Sequence, residues 1–67
     1  MANYKKLGKR IKELRKEKNL TQEKLAELAR IDPKSIIQIE NGKRNPTLKT
    51  INKISEVLNI PIEKLLS

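Results

Sequence analysis

The sequence predicts an all-α domain of five short helices. Apolar residues recur at helical spacing, as at Leu7, Ile11 and Leu14, which places them on one face of a helix. No stretch shows the sustained alternation of polar and apolar residues that a half-buried strand requires. Two glycines and three prolines divide the 67 residues into short segments. Because a chain of this length forms one small core, we expect residues 1–67 to be a single domain.

The first helix is predicted at about residues 3–18, and its apolar stripe is the one just described. Thr21 is a residue type that caps helices, so the second helix is predicted at about residues 22–29. The inner face of the second helix is expected to consist of Leu25, Leu28 and Ala29. Another face of the first helix either approaches phosphate or is solvated, and it carries Lys5, Lys9, Lys12 and Lys16.

The third helix is predicted at residues 33–40, where the signals for both ends are present. Asp32 is a good N-cap, and a proline at the first helical position loses no hydrogen bond. An Asn-Gly pair at residues 41–42 is a typical C-terminal stop. Ile36 and Ile39 have to point inward to anchor this helix. Rotation then turns outward Lys34, Ile37 and Gln38.

Two further helices complete the predicted fold. The fourth is predicted at residues 48–58 after a Thr47 cap, and the fifth at residues 62–66 after Pro61 interrupts the chain. The inner stripe of the fourth is expected to be Leu48, Ile51, Ile54 and Leu58. The fifth offers more apolar side chains than a small core needs. They are candidates either for core burial or for a symmetric dimer contact, at Ile62, Leu65 and Leu66.

The charge balance points to a polyanionic partner. Sixteen Lys and Arg residues against eight Asp and Glu give a net charge of +8, and an excess of this kind favours nucleic acid. Single-stranded nucleic acids and RNA loops are usually gripped by stacking bases on aromatic rings. Tyr4 is the only aromatic residue in the chain. Duplex binding by basic and polar side chains therefore fits the composition better.

The composition also argues against other classes of protein. The chain contains no His and no Cys, so the usual zinc ligands and the commonest general base are missing. It shows no clustered carboxylates and no glycine-rich phosphate loop, so we expect neither an enzyme, a metal site nor a cofactor. No apolar run approaches the ~20 residues of a membrane span. A cytoplasmic protein is the expectation.

Two helices joined by a short turn, the second with a polar outer face, meet the physical requirement of a helix-turn-helix at about residues 22–40. The runs LTQEKLAELA at residues 20–29 and SIIQIENGKRNPTL at residues 35–48 resemble the two halves of the XRE, or Cro/repressor-type, helix-turn-helix family. The resemblance spans nearly the whole chain. It implies a lambda-repressor-like DNA-binding domain and a small bacterial or phage transcriptional regulator.

The resemblance implies base contacts from the third helix. Lys34 and Gln38 match the positions at which the family reads base edges; Lys suits guanine O6 and N7, and Gln suits adenine N6 and N7. Pro33 replaces a polar residue and offers apolar contact alone. Ile37 is apolar where polar residues are commoner. It either packs on a thymine methyl, meets a protein partner or is merely exposed.

The resemblance also implies phosphate contacts on both sides of this helix. Arg44 alternatively reaches toward the minor groove, and capping is an equally good account of Thr47. A helix N-terminus is an anion site in its own right. The residues expected to contact phosphate are Gln22, Ser35, Asn41, Lys43, Arg44, Asn45 and Thr47.

Two further expectations concern stability. Arg15 and Glu40 resemble the family's partly buried salt bridge between the first helix and the end of the reading helix, which is a structural role. Arg30 stands in the turn where the family usually has Gly, and a non-Gly residue with positive φ costs about 1 kcal/mol there.

The predicted function is sequence-specific binding of double-stranded DNA by a transcriptional regulator. We expect a repressor that binds a pseudo-palindromic operator as a homodimer, with the third helix in the major groove. An antitoxin with a protein partner, or a restriction-modification controller, would have the same fold. A protein- or RNA-binding adaptor that uses the basic first helix is the alternative from a different class.

Overall fold

Five α-helices and no strand are present in residues 4–67, the part of the chain that the computed structural model describes. They are α1 (Tyr4–Glu17), α2 (Gln22–Ala29), α3 (Pro33–Glu40), α4 (Leu48–Leu58) and α5 (Ile62–Leu66). The predicted all-α fold is confirmed, and among the described residues only the C-terminal end of α1 differs, by one residue. Its predicted first residue, Asn3, lies outside the described residues. None of the five helices has the length and apolar character to cross a membrane.

Side-chain caps begin the three helices at the centre of the sequence. The hydroxyls of Thr21 and Thr47 each accept a hydrogen bond from the backbone N–H three residues further on, over 3.0 and 3.2 Å. Asp32 Oδ1 accepts one from the N–H two residues further on, over 2.9 Å. Such caps typically contribute about 1 kcal/mol each, so the starts of α2, α3 and α4 are set locally.

The core lies where all five helices meet. α3 packs against α1 and α2, while α5 closes the far side against α1 and α4. The short loops make this arrangement compact enough for every helix to contribute an apolar side chain. The largest fully buried side chains are Ile11, Leu25, Ile36, Ile39, Ile54, Leu58 and Leu65.

Two of the leucines expected inside are on the surface. Leu28 is 50% exposed and Leu48 is 62% exposed. α2 has only eight residues and buries a narrow stripe of Leu25, Ala26 and Ala29, which leaves Leu28 on its flank. Leu48 is the first residue of α4. Because helical side chains lean toward the N-terminus, a side chain at that position projects beyond the core.

Gly8 permits α1 to approach the end of α3. It is buried in the second turn of α1, and a Cβ placed on it would overlap the carbonyl oxygen of Ile39. Glycine is otherwise unfavourable inside a helix. Its presence is explained here by the close contact between the two backbones.

The turn between α2 and α3 contains the strained position that was expected. Arg30 has φ 57° and ψ 49°, in the left-handed region. The N–H of Ile31 donates to the carbonyl of Ala26 over 2.9 Å, which is the hydrogen bond of a Schellman end. Glycine adopts this conformation without steric strain, so Arg30 carries the strain predicted for it.

Candidate nucleic-acid interface

The outer face of α3 is a small, mixed polar and apolar surface. Ile36 and Ile39 are buried on its inner side and fix the rotation of the helix. The turn of three residues after α2 leaves the opposite side uncovered. The four residues predicted to contact bases are all exposed there: Pro33, Lys34, Ile37 and Gln38.

A residue of the loop that follows α3 contacts both Ser35 and Gln38. Arg44 Nη1 donates to Ser35 Oγ over 2.8 Å and to Gln38 Oε1 over 3.3 Å. One predicted base-contacting residue is thus joined to two predicted phosphate-contacting residues. The spacing of the sequence did not indicate this contact, because Arg44 lies outside the helix.

The loop at residues 41–47 is docked on the domain. The backbone N–H of Lys43 donates to the carbonyl of Gln38 over 2.9 Å, and Pro46 is buried. Gly42 has φ +71°, and a Cβ there would press on Lys5 of α1, so glycine is favoured at this turn. The remaining side chains of the loop are exposed, and they are those predicted to contact phosphate: Asn41, Lys43, Arg44, Asn45 and Thr47.

A buried ion pair joins α1 to the end of α3. Arg15 Nε lies 2.7 Å from Glu40 Oε2, and Arg15 Nη2 donates to Glu40 Oε1 over 3.1 Å. The Glu40 side chain is 0% exposed. Arg15 Nη1 also donates to the carbonyl of Leu20 over 2.6 Å. The salt bridge implied by the resemblance is present, and it joins α1 to the end of α3. The additional bond to Leu20 joins α1 to the turn before α2.

Gln22 belongs to the same network. Its Nε2 donates to Glu40 Oε1 over 3.0 Å, so the first residue of α2 is held against the last residue of α3. The phosphate contact predicted for Gln22 stays a prediction. The family resemblance also implies that a Gln at this position supports the third helix, and the bond to Glu40 is such a contact. The sequence did not indicate Glu40 as the partner, because residues 22 and 40 meet only after the two helices are packed together.

A cleft of about 330 Å³ opens between the start of α2 and the outer face of α3. Pro33 and Ile37 form its apolar wall. The other residues that line it are Thr21, Gln22 and Glu23. Ile37 therefore faces a recess that can accept a small apolar group, and Glu23 is a neighbour of this surface that the sequence interpretation did not include.

The residues proposed for a dimer contact have different positions. Leu65 is 1% exposed in the single chain, so it belongs to the monomer core and is not available for a dimer contact. Ile62 is half-buried and packs against that core. Leu66 is 49% exposed and lies on the solvent-exposed side of α5. The physical reason is the helical period, which turns neighbouring residues of one short helix to different sides.

The two capped helices, their three-residue turn and the uncovered face of α3 define a helix-turn-helix protein of the lambda-repressor-like fold. A family model described as helix-turn-helix matches residues 11–65. The chain belongs to this helix-turn-helix family, and the predicted XRE-type assignment is confirmed.

Relatives with similar sequences are regulators. An uncharacterized HTH-type transcriptional regulator of Archaeoglobus fulgidus is 45% identical over 56 residues, which cover 84% of this chain and 79% of that protein. The immunity repressor protein of Bacillus phage phi105 is 37% identical over 59 residues. That match covers 88% of this chain but 41% of the phage protein.

Solved structures of similar fold include two regulators. The restriction-modification controller protein C.AhdI from Aeromonas hydrophila has a TM-score of 0.90 and 39% identity, covering 92% of this chain and 94% of that one. The master regulator for biofilm formation SinR from Bacillus subtilis, solved in complex with DNA, has a TM-score of 0.88 and 35% identity. That match covers 91% of this chain and 98% of the SinR chain.

Proposed function

We propose that this chain is a sequence-specific, double-stranded DNA-binding transcriptional regulator that places α3 in the major groove. The observation that carries the proposal is the exposed face of α3. Ile36 and Ile39 are buried on the opposite side, and they fix the rotation of the helix. A B-form major groove is wide enough to accept a helix presented in this way. The net charge of +8 supplies the long-range attraction to phosphate.

The proposed division of labour follows the positions of the side chains. Lys34 donates to guanine O6 and N7, and Gln38 pairs with adenine N6 and N7. Ile37 and Pro33 receive a thymine methyl in the cleft beside α2. Phosphates on the two flanks are bound by Gln22 with the start of α2, by Ser35, by Thr47, and by the loop residues Asn41, Lys43, Arg44 and Asn45.

We further propose that the functional unit is a homodimeric repressor on a pseudo-palindromic operator. Two copies of α3 would then enter successive major grooves about 34 Å apart. The exposed side of α5, with Leu66 and part of Ile62, is the surface that we assign to the symmetric contact. The similarity to a phage immunity repressor supports repression. The cytoplasm is the proposed location, since a regulator has to meet the chromosome there.

A restriction-modification controller is the second candidate. It is favoured by the likeness to C.AhdI, which extends over 94% of that protein's chain. A controller of this kind would bind the promoter of its own operon, and a repressor of other genes would bind elsewhere. Mapping the bound sites on the source genome separates the two. In neither case do we propose an enzymatic activity.

In vitro selection from a random duplex library tests the proposed function. The expected product is a site with two related halves. Lys34→Ala and Gln38→Ala are each expected to lose about 1–3 kcal/mol of discrimination at one position of each half-site. Lys18→Ala is the matched control, because it removes the same charge as Lys34→Ala from an exposed position in the turn after α1, outside the residues assigned to base, phosphate or dimer contacts. A preference that survives both α3 substitutions would refute docking through α3.

A further inference from the structure

The Arg44 guanidinium lies beside a residue that is proposed to read a base. Its Nη1 donates both to Ser35 Oγ (2.8 Å) and to Gln38 Oε1 (3.3 Å). Ser35 and Gln38 are three residues apart in α3 and share one face. Arg44 reaches that face from the loop after the helix. The contact is therefore tertiary, and it holds the Gln38 side chain from outside its own helix.

We propose that Arg44 is a positioning residue that orients the amide of Gln38 and thereby raises its preference for adenine over guanine. The inference rests on the proposed function, in which Gln38 reads a base edge. It adds a residue that sets the sequence preference without having to touch the base itself.

The orientation follows from the hydrogen-bonding capacity of the two side chains. A guanidinium only donates, whereas an amide has an oxygen that accepts and a nitrogen that donates. An unrestrained amide can turn by 180° and exchange the two. Beside Arg44, the turned amide would place its NH₂ group against another donor. Arg44 therefore selects the orientation in which Oε1 of Gln38 faces the guanidinium.

The selected orientation matches adenine. Adenine presents a donor at N6 and an acceptor at N7, and guanine presents acceptors at both O6 and N7. Oε1 has two acceptor positions, so it can accept from Arg44 and from adenine N6 while Nε2 donates to N7. Guanine would set its O6 against Oε1. An amide that is free to turn can offer its NH₂ group to O6 instead, and it therefore discriminates less.

Arg44 is itself held in place before any DNA binds. The N–H of the preceding residue donates to the carbonyl of Gln38, and Pro46 is buried two residues later. The Arg44 side chain also lines a cleft of about 90 Å³ that Ser35 and Thr50 share. Because the guanidinium is already in position, little conformational freedom is lost when the base is bound.

The experiment compares two substitutions in one loop. Selection with the wild-type chain and with Gln38→Ala identifies the base position that depends on Gln38. Affinities are then measured for duplexes that differ only by adenine or guanine there. Arg44→Met is expected to reduce the adenine-to-guanine affinity ratio about fivefold, the value of one net hydrogen bond. Lys43→Met is the matched control. It removes the same charge from the same loop, and it is expected to weaken both duplexes equally.

Two further variants distinguish orientation from charge or folding. Arg44→Lys keeps the charge and one donor group, and it is expected to recover part of the ratio. In a Gln38→Ala background, Arg44→Met is expected to leave the ratio unchanged. An unchanged ratio in Arg44→Met, an equal loss in Lys43→Met, or a wild-type preference for guanine would each overturn the proposal.

If the wild-type chain selects no duplex sequence, the proposed function itself fails. If it selects a site and the ratio does not respond to Arg44, only the present inference fails.

Discussion

The carboxylate of Glu40 accepts hydrogen bonds from two other helices. Arg15 reaches it from α1 and Gln22 reaches it from α2. Within residues 4–67, every buried side-chain nitrogen or oxygen has a hydrogen-bond partner. The energetic importance of such a group lies in what its loss would leave behind, since an unpaired buried charge is far more unfavourable than a solvated one.

Glu40→Gln is therefore expected to lower the free energy of unfolding by about 3 kcal/mol, because it leaves the Arg15 guanidinium buried without its counter-charge. Thermal denaturation followed by circular dichroism measures the change. Glu27→Gln is the control, since Glu27 pairs with Lys24 on the surface, where both side chains are more than half exposed. Surface pairs of this kind contribute about 0–1 kcal/mol.

Equal melting temperatures for the two glutamine variants would contradict a structural role for Glu40. Sequence preference provides a second measurement. At a temperature where Glu40→Gln is still folded, its selected site should match that of the wild type, because Glu40 is buried beneath the interface. A changed site would indicate that Glu40 acts on the bases.

Some side-chain contacts could be predicted from the sequence and others could not. The Arg15–Glu40 pair followed from the family resemblance, and the outward turn of Lys34 and Gln38 followed from helix periodicity. The Arg44 contact with Gln38 did not follow from either. It depends on the path of a loop with Gly42 at φ +71°, and local spacing does not determine such a path.

The packing of α1 on α3 depends on a residue with no side chain. Intrinsic propensity favours alanine over glycine in a helix by up to about 1 kcal/mol. At Gly8 that gain is opposed by overlap of the new Cβ with the backbone oxygen of Ile39. Backbone atoms cannot move aside as a flexible side chain can, so α1 would have to shift as a whole.

Gly8→Ala is expected to destabilise the domain by about 1–3 kcal/mol, in the range of other overpacked positions, despite its better helix propensity. Chemical denaturation monitored by circular dichroism tests this. Lys9→Ala is the neighbouring control at an exposed position, where a surface substitution changes stability by less than about 0.5 kcal/mol. A Gly8→Ala protein as stable as the wild type would show that α1 does not need this approach.

The predicted burial of Leu28 and Leu48 was wrong because α2 is short and α4 begins at Leu48. Periodicity predicts which residues share a face, but it does not say how wide a face the neighbouring helices cover. In the eight residues of α2 the covered stripe is narrow, and at the start of α4 the core has already ended. Burial at a flank or at a helix end is decided by the packing partner.

For the domain as a whole, the positive charge and the proposed DNA contacts predict a measurable salt dependence of DNA binding. Each phosphate that is neutralised releases condensed counterions, and the slope of log K against log salt is about −0.9 per phosphate. If each subunit of the proposed dimer neutralises about five phosphates, the slope is expected to be near −9.

Fluorescence anisotropy of a labelled operator at several salt concentrations measures this slope. A monomer that makes the same contacts would give about half of it, so the measurement also reports on the dimer. A slope shallower than about −3 would contradict specific docking on a duplex. Leu66→Ser would be expected to move the slope toward the monomer value if α5 forms the dimer contact.

Helix number, helix boundaries, caps and the exposed face of α3 were predictable from the sequence, because capping and periodicity act between residues at most four positions apart. Three features were not predictable from the sequence. They are the choice between core and surface for Leu28, Leu48 and Leu65, the close approach of α1 to α3 at Gly8, and the hydrogen bond from Arg44 to Gln38. These features join or separate residues that are distant in the chain, and helix packing and the path of the loops place them.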